Sequence, residues 1–226
     1  MALQGQARRS PPAAYTLAMA WRSRFTVRLL QGLLLVLVSA SAPAQTRRYA
    51  IDPVHTRIAF LIDHAGFSRA IGTFSGITGH IDYDPEHPAA ARVEATVPIA
   101  SLDLGDAEWN ARMLERRYFH VGRYPQARFV STAVEAGPGN TLKIRGELTL
   151  RGVVREIEFV ATLNADTANR LTFKRTLGAS AEFELARGEF RMGAYPTVIG
   201  SHARVLIELE AIRQPRDGGG RDEDPE

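Results

Sequence analysis

The sequence contains no cysteine. That excludes disulfides, thiolate metal sites and a cysteine nucleophile, and it excludes a lipid anchor of the bacterial lipoprotein type, which needs a cysteine at its cleavage site. There is no helical His-Glu-x-x-His pair to aim two imidazoles at one zinc among the six histidines, His55, His64, His80, His87, His120 and His202. Gly72-Thr73-Phe74-Ser75-Gly76 has the flavour of a nucleophile elbow, but its spacing is wrong and it falls in a strand. Gly137-Pro138-Gly139 is a turn with no helix behind it to hold a phosphate. No metal or cofactor is expected, and the prior for catalysis is low.

A usable basic excess is also missing. The formal net charge is +3, from 28 basic and 25 acidic residues. Residues 1–44 hold five arginines (Arg8, Arg9, Arg22, Arg24 and Arg28) and no acid. Removing those five from the 28 leaves 23 basic against 25 acidic residues, a net of −2 from Gln45 onward. A mildly acidic domain offers no footprint for a nucleic-acid backbone.

The arginines belong to a leader. Arg22, Arg24 and Arg28 precede the apolar run Leu29 to Val38, and Ser39-Ala40-Ser41-Ala42-Pro43-Ala44-Gln45 follows. Basic, apolar, then small-x-small is the order of a secretory signal peptide. The run is about half of the roughly 20 residues that a membrane-spanning helix needs. Residues 1–44 are therefore expected to be a cleaved signal peptide, with Met19 an alternative start, and the mature chain is expected in the periplasm with no transmembrane segment. Residues 45–213 are expected to form one domain. The Gly-rich, charged stretch 214–226 is expected to be a disordered tail.

What the mature region does have is alternation. Ile58, Phe60 and Ile62 alternate with Arg57, Ala59 and Asp63, and the same period recurs over residues 93–99, 142–150, 157–163, 179–185 and 205–211. Period two means one buried and one wet face. Further segments near 70–83 and 127–135 bring the count to about eight strands. Asp84-Pro85-Glu86-His87-Pro88 and Gly137-Pro138-Gly139-Asn140 are loops, and Leu150-Arg151-Gly152-Val153 is a tight hairpin. Closure of such strands into an all-β antiparallel barrel removes their edges. Asp106 to Arg117 breaks the pattern and predicts a short helix, with Asp106 as N-cap and Trp109 and Met113 on one face, near one mouth of the barrel or packed outside it. The inferred inner face mixes Phe60, Phe159 and Phe183 with Ala95, Ala161, Ala179, Ala181 and Gly146. It fits either a channel for an elongated apolar molecule or an interlocked, filled core.

From about Tyr49 to Ile212 the chain resembles the YceI family of secreted polyisoprenoid-binding proteins. The resemblance rests on Asp52-Pro53-Val54-His55-Thr56 with Ile58-Ala59-Phe60, on His64 followed by Gly72-Thr73-Phe74-Ser75-Gly76, on Tyr118-Phe119 with Tyr124-Pro125 and Arg128-Phe129, and on Gly146-Glu147-Leu148-Thr149-Leu150-Arg151-Gly152-Val153. Arg187-Gly188-Glu189-Phe190-Arg191-Met192-Gly193 departs from the family's shorter Arg-x-x-Phe-Gly, and His120 stands where an Asp is usual; both bear on the mouth and the head group rather than on the fold. The resemblance implies a lipocalin-like barrel that binds or transports an isoprenoid lipid, such as a quinone tail or a prenyl phosphate, without catalysis. It makes Phe60, His64, Phe67, Phe74, Trp109, Phe119 and Phe129 the candidates for the channel and its mouth. The alternatives are a filled barrel serving in stress response or protein interaction, and an enzyme acting on a similar lipid; a homodimer is compatible with the carrier as with these. Intact-mass analysis of the exported protein is expected to find a chain beginning at Gln45; an exported form that keeps Leu29 to Val38 would overturn the cleavable leader.

Overall fold

The computed structural model describes residues 46–215. The proposed leader lies outside the described residues, as does the tail from residue 216 onward. Ten strands follow one another: β1 Arg47–Ile51, β2 Arg57–His64, β3 Ser68–Phe74, β4 Thr78–Tyr83, β5 Arg92–Pro98, β6 Gln126–Ala136, β7 Thr141–Leu150, β8 Val153–Ala168, β9 Arg175–Ala186 and β10 Ile199–Arg213. All pairings are antiparallel. Eight of the strands close a ring, β1-β4-β5-β6-β7-β8-β9-β10-β1, and β2–β3 extend the wall from β10. The fold is the expected antiparallel barrel with one short helix, α1, Ala107–Leu114.

The extra strands come from two interruptions. β1 and β2 both pair with β10, at Ala211–Arg213 and Ile199–Glu208 respectively, so they share one place in the wall, interrupted by the turn at 52–56. The segment expected near 70–83 likewise divides into β3 and β4. Gly76, at φ +67° between them, takes a left-handed conformation that other residues adopt reluctantly. The Arg151-Gly152 hairpin has positive φ at both residues, 51° and 69°, the signature of a two-residue turn whose twist suits the strands it joins.

The alternation holds along the walls. The inner face carries Ile58, Phe60 and Ile62 on β2, Ile157, Phe159 and Ala161 on β8, and Ala181, Phe183 and Leu185 on β9. The outer face carries ion pairs such as Arg145–Glu158 at 3.1 Å and Arg204–Glu182 at 2.5 Å. The buried residues fall into two groups. One, around Tyr49, Ile51, Ile81, Leu177 and Ala211, packs the end where β1 closes the ring. The other, around Phe74, Ile99, Leu102, Phe190 and Met192, lies at the opposite end with the residues of α1 and its flanking loops. Between them the inward rings Phe60, Phe129, Phe159 and Phe183 are only partly buried, although they point away from solvent. That is the mark of a lumen.

A polar cluster seals the closed end. The Tyr49 hydroxyl, on a completely buried side chain, donates to Asp166 at 2.9 Å. Arg175 grips the same carboxylate through Nε at 2.8 Å and Nη2 at 3.1 Å, and Arg47 lies 3.7 Å from it. Burial and the neighbouring Asp166 push the Tyr49 phenol above its ordinary value, so it stays protonated and remains a donor. The described strands, both cores and the closure lie within residues 47–213, so the barrel closes on itself within this span.

Two glycines shape the inner wall by giving way to rings. Gly72 pairs with Phe60, and a Cβ there would lie 2.5 Å from Phe60 Cε1 and 3.0 Å from Leu104 Cδ2. A Cβ on Gly146 would lie 2.5 Å from Phe129 Cζ and from the Val130 carbonyl oxygen. The rings thus lie flat over glycine backbone instead of standing across the lumen. Gly72→Ala is expected to destabilise the fold by about 1–3 kcal/mol through overpacking, and by clearly less in a Phe60→Ala background; equal costs in the two backgrounds, measured by urea unfolding, would refute this packing. Asp166→Ala is expected to cost about 2–4 kcal/mol, because it strands a buried hydroxyl and a partly buried guanidinium. Glu182→Ala, which breaks an exposed pair, should cost at most about 1 kcal/mol.

Candidate functional site

The lumen is a cavity of about 780 Å³, within the range of roughly 300–1,000 Å³ usual for small-molecule sites. Its wall is almost entirely apolar: aliphatic and aromatic side chains from β2, β5 and β6–β10. Three rings form a band across neighbouring strands, with Phe129 and Phe159 at 5.5 Å between centroids and Phe159 and Phe183 stacked at 5.1 Å. Alanines 95, 161, 179 and 181 also face inward and leave the space beside these rings open. Of the two arrangements that the alternation allows, the structure shows the channel.

The mouth is built by α1 and the loops at the end opposite the seal. Asp106 caps the helix, its carboxylate accepting the Trp109 N–H at 2.8 Å. This fixes the entry of the helix and turns Trp109 and Met113, one helical turn apart, toward the cavity that both line. The helix stops at Leu114, three residues earlier than its composition suggests. Backbone bonds from Phe119 N to Met113 O (3.1 Å) and from Val121 N to Leu114 O (3.0 Å) fold the chain back on itself there, and so bring Tyr118 and Phe119 to the cavity as well. Phe119 meets Phe74 edge to face at 5.6 Å, Phe74 meets Phe60 at 5.8 Å, and Trp109 meets His64 at 5.6 Å.

Six of the seven candidate residues therefore line one cavity: Phe60, His64, Phe74, Trp109, Phe119 and Phe129. Phe67 does not. It sits on the β2–β3 turn with 93% of its surface exposed. Ala65 and Gly66 take left-handed conformations there, and the turn that reverses the strand presents Phe67 to solvent. Sequence reasoning missed Arg187, which lines the cavity near the mouth and is itself buried. Its guanidinium donates to Gly200 O at 2.6 Å, to Ile199 O at 2.7 Å and to Met192 O. Among the described residues no carboxylate lies in ion-pair range of it, and burial draws its pKa below the ordinary arginine value. The departure of the 187–193 segment from the family pattern was the available signal. Asp63, Asp106, Glu108 and Arg112 also reach the cavity, so most of its charged groups gather at the mouth; the rest of the wall is mainly aliphatic and aromatic, with Thr56, Tyr83, Arg128 and Ser180 interspersed.

A group of metal-ligand type, Asp52, His55 and Glu210, has ligand atoms within 4.8 Å of one another. Its Asp52–His55 contact, at 2.8 Å, belongs to the turn: Asp52 Oδ1 also accepts the Val54 N–H at 2.8 Å. Asp84 and His87 repeat both contacts, at 3.0 Å, after β4. The recurrence in the same Asp-Pro-x-His sequence makes this a turn motif.

This architecture has known counterparts. The model of the YceI-like domain matches residues 49–211. The UPF0312 protein of Photorhabdus laumondii is 32% identical over 181 residues, covering 80% of this chain and 93% of its own length. The YceI protein of Salmonella arizonae is 29% identical over 180 residues, with the same coverage of both chains. Among solved structures, Burkholderia cenocepacia BcnA superposes with a TM-score of 0.65 at 22% identity, over 71% of this chain and 99% of that one. A polyisoprenoid binding domain from Saccharophagus degradans, implicated in plant cell wall breakdown, superposes with a TM-score of 0.58 at 14% identity, over 74% and 98%. With a family match spanning nearly the whole barrel, the chain belongs to the YceI-like family.

Proposed function

We propose that this protein is a periplasmic carrier for an isoprenoid-type lipid, with the chain of the lipid in the barrel and its polar head at the mouth. The observation that carries the reading is the gradient inside the cavity: mainly apolar through its depth, with most of its charged side chains at the mouth. A molecule with a long hydrocarbon chain and one polar end matches that gradient and enters in one orientation. The hydrocarbon gains by leaving water, roughly 25 cal/mol for each Å² buried. The head stays where Arg187, His64 and Arg112 can be reached. The polyisoprenoid binding domain of the Saccharophagus protein supports the choice of lipid class, and the basic-apolar-small leader supports the compartment. The arrangement calls for holding a ligand rather than transforming it, since the polar groups line the rim and leave the depth without reactive partners. The cavity also counts against the filled-barrel alternative.

Native mass spectrometry of the protein recovered from cells is expected to find one bound apolar molecule. Phe60→Arg is expected to keep the β-sheet circular dichroism and lose that molecule. The arginine stem can lie along the lumen with its head toward the wet mouth, and the charge then stands in the path of the chain, where desolvating it costs several kcal/mol. A folded Phe60→Arg protein that still carries lipid at the wild-type level would show that the chain does not run past β2. Wild-type protein that is empty from every source would remove the carrier reading.

A further inference from the structure

Several strand arginines are paired with carboxylates, Arg48 with Asp82, Arg128 with Glu94, Arg145 with Glu158 and Arg204 with Glu182. Arg57, Arg69, Arg92 and Arg155 show no such pair among the described residues. At the mouth Arg112 pairs with Glu108 at 3.4 Å, and four further arginines are left over. Arg116, Arg117, Arg123 and Arg191 are all exposed, and none has a carboxylate in ion-pair range among the described residues. The mouth also holds the exposed acids Asp63, Asp106, Glu108, Glu115 and Glu189, of which Glu108 is paired with Arg112. Contacts tie the cations into one lip: Arg151 donates to Arg116 O at 2.7 Å and to Arg191 O, the Arg117 guanidinium donates to the Tyr195 hydroxyl and lies 5.3 Å from its ring centroid, and Arg123 lies over the Tyr124 ring, which packs on Gly152 beside Arg151.

The lip continues into exposed apolar surface. Val198 N bonds Tyr195 O at 3.0 Å, and Val198 O accepts from Ala65 N at 2.6 Å, which joins the 195–198 segment to the β2–β3 turn. On that turn Phe67 is 93% exposed, with Val198 at 43% and Tyr195 at 44%. The turn is held firmly, Gly66 N to Asp63 Oδ1 at 3.1 Å and Phe67 N to His64 O at 3.2 Å, so Phe67 is presented outward by a fixed backbone. Single exposed apolar residues are ordinary. A presented phenylalanine beside a mouth that opens on an apolar cavity, continuous with unpaired arginines, is a surface of a particular kind: it combines the apolar anchor and the cations of a peripheral membrane site.

We propose that this lip docks on an anionic phospholipid surface, Phe67 inserting among the acyl chains and Arg116, Arg117, Arg123 and Arg191 meeting the phosphates. The mouth then faces the bilayer, and an apolar chain passes between membrane and channel without crossing water. The proposal rests on the carrier reading for its purpose, but it is tested separately.

The chain from Gln45 onward is mixed with vesicles of phosphatidylcholine alone or of equal parts phosphatidylcholine and phosphatidylglycerol, and the bound fraction is read by cosedimentation. Binding is expected to the mixed vesicles, to weaken with added salt, and to be slight on phosphatidylcholine alone. Arg116→Glu with Arg123→Glu should lower the partition coefficient by about tenfold or more, and Phe67→Asp by roughly tenfold. Both sites are exposed, so the circular dichroism and the bound molecule in native mass spectra should be unchanged. Leu171 and Phe173, 89% and 81% exposed on the β8–β9 hairpin at the sealed end, are the control: Leu171→Asp with Phe173→Asp should bind as wild type. Wild-type protein that ignores both vesicle types, lip variants that bind like wild type, or loss of binding in the hairpin variant each overturn the docking. Lipid-loaded protein that fails to bind vesicles defeats the docking alone. Protein that binds vesicles but is empty of lipid from every source defeats the carrier reading and leaves the docking standing.

Discussion

Everything in this molecule depends on β10 pairing with two successive strands at once. Its N-terminal part takes β2 and its C-terminal end takes β1, and through β1 and β4 the sheet returns on itself. Once the ladder closes, every ring strand has a neighbour on both sides, and the backbone polar groups are satisfied within the wall. Only then can the interior remain open. A layered core must fill its space or lose stability; a closed eight-stranded wall has just enough circumference for either a packed interior or one small ligand. Here glycines beneath the rings of Phe60 and Phe129 let those rings lie against the wall, and inward alanines keep the lumen clear.

The two ends of the barrel solve opposite problems. At the sealed end Asp166 gathers Tyr49, Arg175 and Arg47, so the polar groups there are bound to one another. At the mouth a capped helix and a folded-back loop place Trp109, Met113, Tyr118 and Phe119 around an opening. Arg187 ties the loop at 187–193 to the start of β10 through carbonyl groups. It thereby places a positive charge at the rim without a carboxylate to neutralise it. The sealed end contributes stability, and the mouth contributes selectivity for a ligand with one polar end.

Much of the wall was legible as alternation. Ile58–Phe60–Ile62, Ile157–Phe159–Ala161 and Ala181–Phe183–Leu185 sit inward as their period requires. β1 went unread because Arg47–Ile51 is too short for a period to show. The far end of β8 was missed where a register shift between Leu163 and Ala165 breaks the alternation. A similar shift between Ser131 and Ala133 in β6 moves Val134 onto the inner face. Phe67 was a candidate for the channel or its mouth through the family resemblance; the turn that exposes it is set by two successive positive φ angles, which alternation does not register.

The sequence by itself determined the class of fold, because period-two patterning and turn residues are local properties carried by consecutive side chains. It also determined that His64, Trp109 and the inward phenylalanines were worth attention, since large rings on a one-faced strand or a short capped helix must meet something. Tertiary structure alone decided that the interior is a cavity and not a filled core, since the same inward residues permit both and the outcome turns on how rings cross to glycines on neighbouring strands. It alone also decided that Arg187 is a mouth residue, and that Phe67 stands outside beside unpaired arginines. Those are relations between segments as far apart as residues 67, 116 and 191, brought together by barrel closure, and no local pattern encodes them.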